Sequence, residues 1–407
     1  MRLPFRDVNK KFFWILCIIG AFAILSSTMS KNPVLKPFAT SLGTPIDLMG
    51  FIAAASTIPG MLVSLPAASL SDRIGRRKVL LFGTLVFASA PFLYLFITSW
   101  WHLILVRFYH GFATAIFIPV AEAKVAERFP TKRGERISLL SSATAFGRGL
   151  APFLGGYILF LTNYGYPSLY LAVGIAGVAA FALTFLLFIE KRAPAGDSAN
   201  VVKAQGMFRG WLTIAKNRQV LAVSFVQASQ YYVFGAVEFF LVGYLSEIAK
   251  LDPLTIGMVM GSQIVAIIVA RPIIGRASDR IGRRIPIMAG SIVSVILLLA
   301  FPFSKQFPVL LLLSIGYGIT FAAVISSTSP LMCELVPCEL VGTSLGFLAT
   351  MMDFGQTLGP IITGFVLAIS FQYSALFFSL SLVMIVSTFI VILLKIGEKT
   401  SRADIGA

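Results

Sequence analysis

Five ionisable residues sit inside long apolar stretches of this sequence: Lys31, Arg107, Arg148, Glu238 and Asp353. Glu122, Lys124 and Arg271 lie nearer the ends of such stretches. A charge in hydrocarbon is costly and is retained where it faces a bundle interior or a water-filled cavity. Three kinds of chemistry are open to such groups: ion pairing, recognition of a charged solute, and proton carriage by a partly desolvated carboxylate that titrates near working pH. Asp353 is the first candidate proton carrier and Glu238 the second, with Arg107 placed to bias either. Enzyme chemistry has no comparable support. There is no nucleotide loop, no nucleophile and base in a known pattern, and no loop long enough to fold into a catalytic domain. Cys17, Cys333 and Cys338 form no CxxC pair, and His102 and His110 are too few for a metal site, so the sequence calls for no metal and no cofactor.

The elements that must hold these residues are helices in a membrane. Of 407 residues, 57% are hydrophobic and 12% charged, about half the charge of an ordinary soluble domain; the mean hydropathy is +0.89. Twelve apolar stretches are predicted at about 11–33, 48–69, 79–98, 101–124, 137–162, 167–189, 218–247, 254–275, 286–303, 306–332, 342–370 and 373–394. Each is long enough to cross roughly 30 Å of hydrocarbon as a helix. The first imitates a signal peptide, with Arg2, Arg6, Lys10 and Lys11 before it and Ala21-Phe22-Ala23 within it. Its apolar run continues to Ser30 and has a counterpart later in the chain, so it is read as a retained span.

Helical phase groups the polar residues into faces. Gln227, Tyr231, Phe234 and Glu238 form one stripe on the seventh stretch. Arg107, His110 and Thr114 share a face of the fourth, Ser141, Arg148 and Pro152 of the fifth, and Asp353, Gln356 and Pro360 of the eleventh. Arg148 and Asp353 each lie about a dozen residues into their helices, which sets both near the midplane of the hydrocarbon.

The net charge of +16 comes from 33 Lys and Arg against 17 Asp and Glu. Twenty-five of the basic residues fall on one side of the predicted spans, and only Lys36, Lys250 and Lys305 on the other. The excess therefore reports topology, with both termini cytoplasmic, and calls for no nucleic acid.

The strongest signal is an internal repeat. Ser71-Asp72-Arg73-Ile74-Gly75-Arg76-Arg77 recurs unchanged as Ser278-Asp279-Arg280-Ile281-Gly282-Arg283-Arg284, at an offset of 207. The same offset aligns Gly50 with Gly257, Gly111 with Gly318, Glu127 with Glu334 and Lys31 with Glu238. The chain divides into a six-helix bundle at 1–190, a polar linker at 191–217 and a second six-helix bundle at 218–407. In each repeated loop the aspartate can cap the following helix and the glycine can permit a tight turn.

The doubled loop resembles the signature of the major facilitator superfamily, and the likeness covers nearly the whole chain. Arg107 to Ala115 is similar to the family's fourth-helix Arg-x-x-x-Gly motif. Gly147 to Gly156 is similar to the fifth-helix motif of its drug:proton antiporters, except that Ala151 replaces a glycine; the related Gly355 to Gly364 keeps it as Gly359. The resemblance implies an all-α fold of twelve transmembrane helices in two pseudo-symmetric six-helix bundles. It also implies that the third, sixth, ninth and twelfth helices, which carry none of the intramembrane charges, face lipid.

The function expected is secondary active transport of a small organic solute by alternating access, as proton-coupled efflux. Uptake of a sugar or an organic anion is the alternative, and a non-transporting scaffold or sensor a further one. The expected substrate and proton cavity is Arg107, Arg148, Gln227, Tyr231, Glu238, Asp353 and Gln356, with Lys31 and Glu238 as an outer gate. The expected partners are the solute, protons and the bilayer of the cell (plasma or inner) membrane. The chain is expected to act as a monomer.

Overall fold

A computed structural model describes residues 4–189, 217–337 and 340–393; within these, the side chains of 4–9, 64–69, 72–73 and 189 are not described. The predicted linker therefore lies outside the described residues, apart from Asn217, and so do the side chains of Asp72 and Arg73. The described secondary structure is helical. In chain order it comprises α1 (Pro4–Met29), α2 (Leu35–Ser41), α3 (Met49–Ala54), α4 (Ile58–Ile74), α5 (Arg76–Leu93), α6 (Trp100–Arg128), α7 (Arg133–Leu161), α8 (Tyr166–Ile189), α9 (Arg218–Gly243), α10 (Pro253–Ile281), α11 (Arg284–Ala300), α12 (Phe307–Glu334), α13 (Val341–Ser370) and α14 (Tyr373–Leu393). Twelve spans among them are long and apolar enough to cross a membrane.

The second span is broken into α3 and α4 by a turn at Ala55–Thr57, whereas its repeat partner α10 is one continuous helix. The first helix stops at Met29, so Lys31 stands in the turn that follows rather than inside a span. Pro33 explains the stop, because proline disfavours helix in the residue before it and cannot donate to a helical carbonyl.

The repeated signature loops are tight turns, of one residue at Gly75 and of two at Gly282 and Arg283. Gly75 and Gly282 take φ of +96° and +89°, a conformation that side-chain-bearing residues rarely adopt. The capping role expected of Asp72 lies outside the described side chains, and that expected of Asp279 is not realised. Arg283, the residue that precedes α11, makes no side-chain cap. Asp279 instead pairs with Arg283, one turn further along.

The described residues gather into two compact units, Met1–Val201 with Val237–Ser262, and Val202–Ala236 with Gln263–Ala407. The first has a core of α1, α5, α6, α7 and α8 around Phe13, Leu16, Phe87, Phe117 and Leu140. In the second, Val220, Val223, Ile287, Val324, Leu331 and Val391 join α9, α11, α12 and α14. Within each unit the repeat imposes the same crossings. A methyl on Gly147 would collide with the carbonyl oxygen of Ala21, and one on Gly355 with that of Ala228, the equivalent residue.

Candidate functional site

In the first unit, two ion pairs lie at the end of the spans away from the signature loops. Lys31 Nζ lies 3.8 Å from Glu238 Oε2, with both side chains largely covered. Asn32 Nδ2 donates to the other carboxylate oxygen at 2.9 Å. A second ion pair lies nearby in sequence: Lys36, only 5% exposed, donates to Glu247 Oε1 at 2.6 Å and to Thr40 at 3.1 Å. Glu247 lies in a π-helical turn, Tyr244–Ile248, that follows α9; such turns are frequent at functional sites. Helix α2, which carries Lys36, is held by Phe38 against the rings of Tyr166 and Tyr170 at 4.9 and 5.5 Å. The sequence reading missed Asn32, Lys36 and Glu247. Lys36 and Glu247 were visible as charges beside the spans, but they are 211 residues apart and so escape the 207-residue register; Asn32 is neutral and gave no such signal.

The antiporter-like segment of α7 meets α10 close by. Backbone at Pro152 and Gly156 lies against Pro253 and Gly257, so tightly that no side chain fits at either glycine. Phe153 covers Gly261 in the same crossing.

Arg107 is 1% exposed. Its Nε donates to the Ile52 carbonyl at 2.8 Å, and its Nη2 to Ser56 Oγ at 2.6 Å and the Ala53 carbonyl at 3.4 Å. The break between α3 and α4 frees these carbonyls from the helical ladder, and the guanidinium satisfies them. No carboxylate pairs with it among the described residues. In the other repeat Ser314 replaces Arg107 and Gln263 replaces Ser56; these two bond at 3.2 Å, and α10 stays unbroken. Beside Arg107, His110 lies 3.4 Å from the Tyr94 hydroxyl, and Tyr94 stacks on Tyr170 at 4.2 Å.

Arg148 is exposed on α7, and no hydrogen bond or ion pair holds it among the described residues. It is therefore free to meet a solute or solvent.

In the second unit, Gln227 is buried and accepts a hydrogen bond from Thr328 at 2.6 Å. Tyr231 and Phe234 pack on Phe321 at 5.2 and 4.5 Å between ring centroids. Asp353 is half-buried on α13 and has no hydrogen bond or ion pair among the described residues. Two residues on, Gly355 lies against α9 at Ala228, which places Asp353 beside the helix that carries Gln227 and Tyr231. Gln356 packs its backbone and Cγ against Gly235.

At the end of the spans where the signature loops lie, these loops carry matching ion pairs. Arg76 meets Glu127 at 3.5 Å, and the equivalent Arg283 meets Glu334 at 3.0 Å. Burial acts to lower the Arg283 guanidinium, but hydrogen bonds to Glu334 and Asp279 outweigh it and hold the pKa above its ordinary value. Arg77 lies over Phe188; Arg280 is exposed, and Arg284 opens α11.

Twelve spans, a 207-residue repeat and charged groups set within or beside the spans define a polytopic helical membrane protein of the transporter type. The family model described as Major Facilitator Superfamily matches residues 16–246 and 223–406, and the chain belongs to that superfamily. It is 23% identical over 383 residues to the multi-drug resistance efflux pump PmrA of Streptococcus pneumoniae, covering 92% of this chain and 94% of the relative. It is 25% identical to the multidrug resistance protein MdtG of Dickeya zeae, covering 79% of this chain and 78% of the relative. Its fold matches a bacterial homologue of the human lysosomal transporter Spinster with a TM-score of 0.78 at 13% identity, covering 98% of this chain and 100% of that one.

Proposed function

We propose that this protein exports a small organic compound in exchange for protons, by alternating access in a cell membrane with both termini cytoplasmic. Lys31 and Glu238 act as an outer closure, and Lys36 with Glu247 reinforces it. Arg148, Asp353, Gln227, Tyr231 and Gln356 contact the solute or the proton, and Arg107 sets the shape of the second span. The repeat-related halves, 1–190 and 218–407, are the moving bodies.

The single observation that carries this reading is the isolation of Asp353. A half-buried carboxylate with no partner among the described residues is costly to keep as a fixed structural charge. A group that alternately takes a proton and a cationic solute accounts for it. The names of the multidrug relatives favour export. The protein works as a monomer in this reading.

One observation favours uptake of an organic anion instead: the unpaired Arg148, a guanidinium suited to carboxylate recognition. Proteoliposomes with an imposed pH gradient, screened over cationic drugs, sugars and organic anions, separate the two. Proton-driven movement of a cation supports export by exchange; movement of an anion together with protons overturns it.

A further inference from the structure

Five buried atoms on neutral side chains of the second unit lack a hydrogen-bond partner among the described residues: both amide atoms of Gln230, Ser291 Oγ, Tyr317 Oη and Ser387 Oγ. All four residues are 0% exposed. Leaving a buried polar atom unpaired forfeits its hydration without return, and five together would cost an amount comparable with the whole net stability of a domain.

Helical register places them in one layer. The apolar cluster described above joins α9, α11, α12 and α14 through Val223 and Val226, Ile287, Val324 and Val391. Gln230 is seven residues beyond Val223 and four beyond Val226; Ser291 is four beyond Ile287; Tyr317 is seven before Val324; Ser387 is four before Val391. Steps of four and seven keep one helical face. Since α9 and α11 run opposite to α12 and α14, all four displacements point the same way. The layer also holds Ser294, which donates to Thr320 at 2.8 Å, and it adjoins Thr328, which bonds Gln227.

The first unit differs: of the positions equivalent to this layer, only His110, in place of Tyr317, carries an unpartnered buried atom, its Nε2. At the equivalent positions stand Ala23 for Gln230, Phe87 for Ser294, Ala113 for Thr320 and Ala180 for Ser387, all within its apolar core. Thr84, in place of Ser291, satisfies itself on the Leu80 carbonyl.

We propose that the second unit encloses a water-binding site: a polar seam in which ordered water completes the hydrogen bonds of Gln230, Ser291, Tyr317 and Ser387. The ligand is water because the donors and acceptors are neutral, mixed and dispersed over four helices, which suits a molecule making two to four bonds. No ionisable carboxylate or amine is present in the layer to fix a metal or an organic ion. The seam ends at Gln227, so it brings water to the back of the aromatic face formed by Tyr231, Phe234 and Phe321. This inference does not depend on the transport reading.

The test is X-ray hydroxyl-radical footprinting of the full-length protein in nanodiscs, with oxidation read by mass spectrometry and normalised to the denatured chain. Water at the seam predicts oxidation of Tyr317 despite its burial, while Phe87 in the apolar core stays protected. It further predicts loss of Tyr317 oxidation in the Gln230→Leu, Ser291→Ala, Ser387→Ala triple variant. Protection of wild-type Tyr317 equal to that of Phe87 overturns the proposal whatever the variant does. Unchanged oxidation in a folded triple variant overturns it too; if that variant does not fold, Ser387→Ala alone replaces it.

Discussion

Lys31 and Glu238 occupy the same position in the two repeats, 207 residues apart, and their side chains meet with Nζ 3.8 Å from Oε2. One repeat supplies the cation and the other the anion, so the duplication has diverged into a complementary pair. Asn32, next in sequence to the lysine, holds the free carboxylate oxygen. If this contact closes the outer side, it must form and break once per cycle.

Reversal of either charge should therefore abolish transport, and the Lys31→Glu, Glu238→Lys double variant should recover a substantial fraction of it. Initial rates in proteoliposomes, corrected for the amount of folded protein, read the effect. A double variant as inactive as its parents would leave the pair a static structural contact.

The Lys36 and Glu247 contact should behave as a lock. In a Lys36→Cys, Glu247→Cys variant on a background freed of Cys17, Cys333 and Cys338, oxidation should stop transport, and a reductant should restore it. Transport that proceeds at full rate through a verified cross-link would show that this contact does not open.

Arg107 should matter for stability as well as transport. Arg107→Met leaves the Ile52 and Ala53 carbonyls without their donor, at a cost of about 1–3 kcal/mol for each buried group left unpaired. The thermal midpoint should fall by several degrees, and Arg107→Lys should recover only part of the loss because a lysine cannot span all three acceptors.

Close helix approach gives a prediction with a built-in control. Gly147→Val and Gly355→Val should each sharply reduce folded yield, since even a methyl would strike the carbonyl of Ala21 or Ala228. Gly346→Ala, with open space around its Cβ position, should leave yield and melting unchanged in a fluorescence-detected gel-filtration assay.

Much of this architecture is legible in residue order because it is written in periodicities. Twelve apolar runs give the spans, and an offset of 208 residues, one more than that of the signature loops, relates the crossings at Gly147 and Gly355. Gly75 and Gly282 are legible as turn residues because a positive φ has a chemical signature. Tertiary competition is not so written. The break at Ala55–Thr57 lies in an alanine-rich segment with good helix propensity, and it shows only once Arg107, more than 50 residues away, reaches the Ile52 and Ala53 carbonyls and the Ser56 hydroxyl. Asp279 has the chemistry of a cap, yet an arginine one turn along takes its carboxylate. The polar layer around Gln230 hides for a related reason: its four residues look like scattered small polar positions until register aligns them.

Asp353 is the residue on which the central claim rests, and ΔpH-driven transport by its neutral variant is the most direct test of it. Proteoliposomes of wild type and Asp353→Asn are given an inward or outward pH gradient, and solute flux is followed alongside internal pH. The account predicts that wild-type flux reverses with the gradient and moves protons the opposite way, while Asp353→Asn retains solute exchange at equal pH but ignores the gradient. Undiminished gradient-driven flux in Asp353→Asn would contradict it.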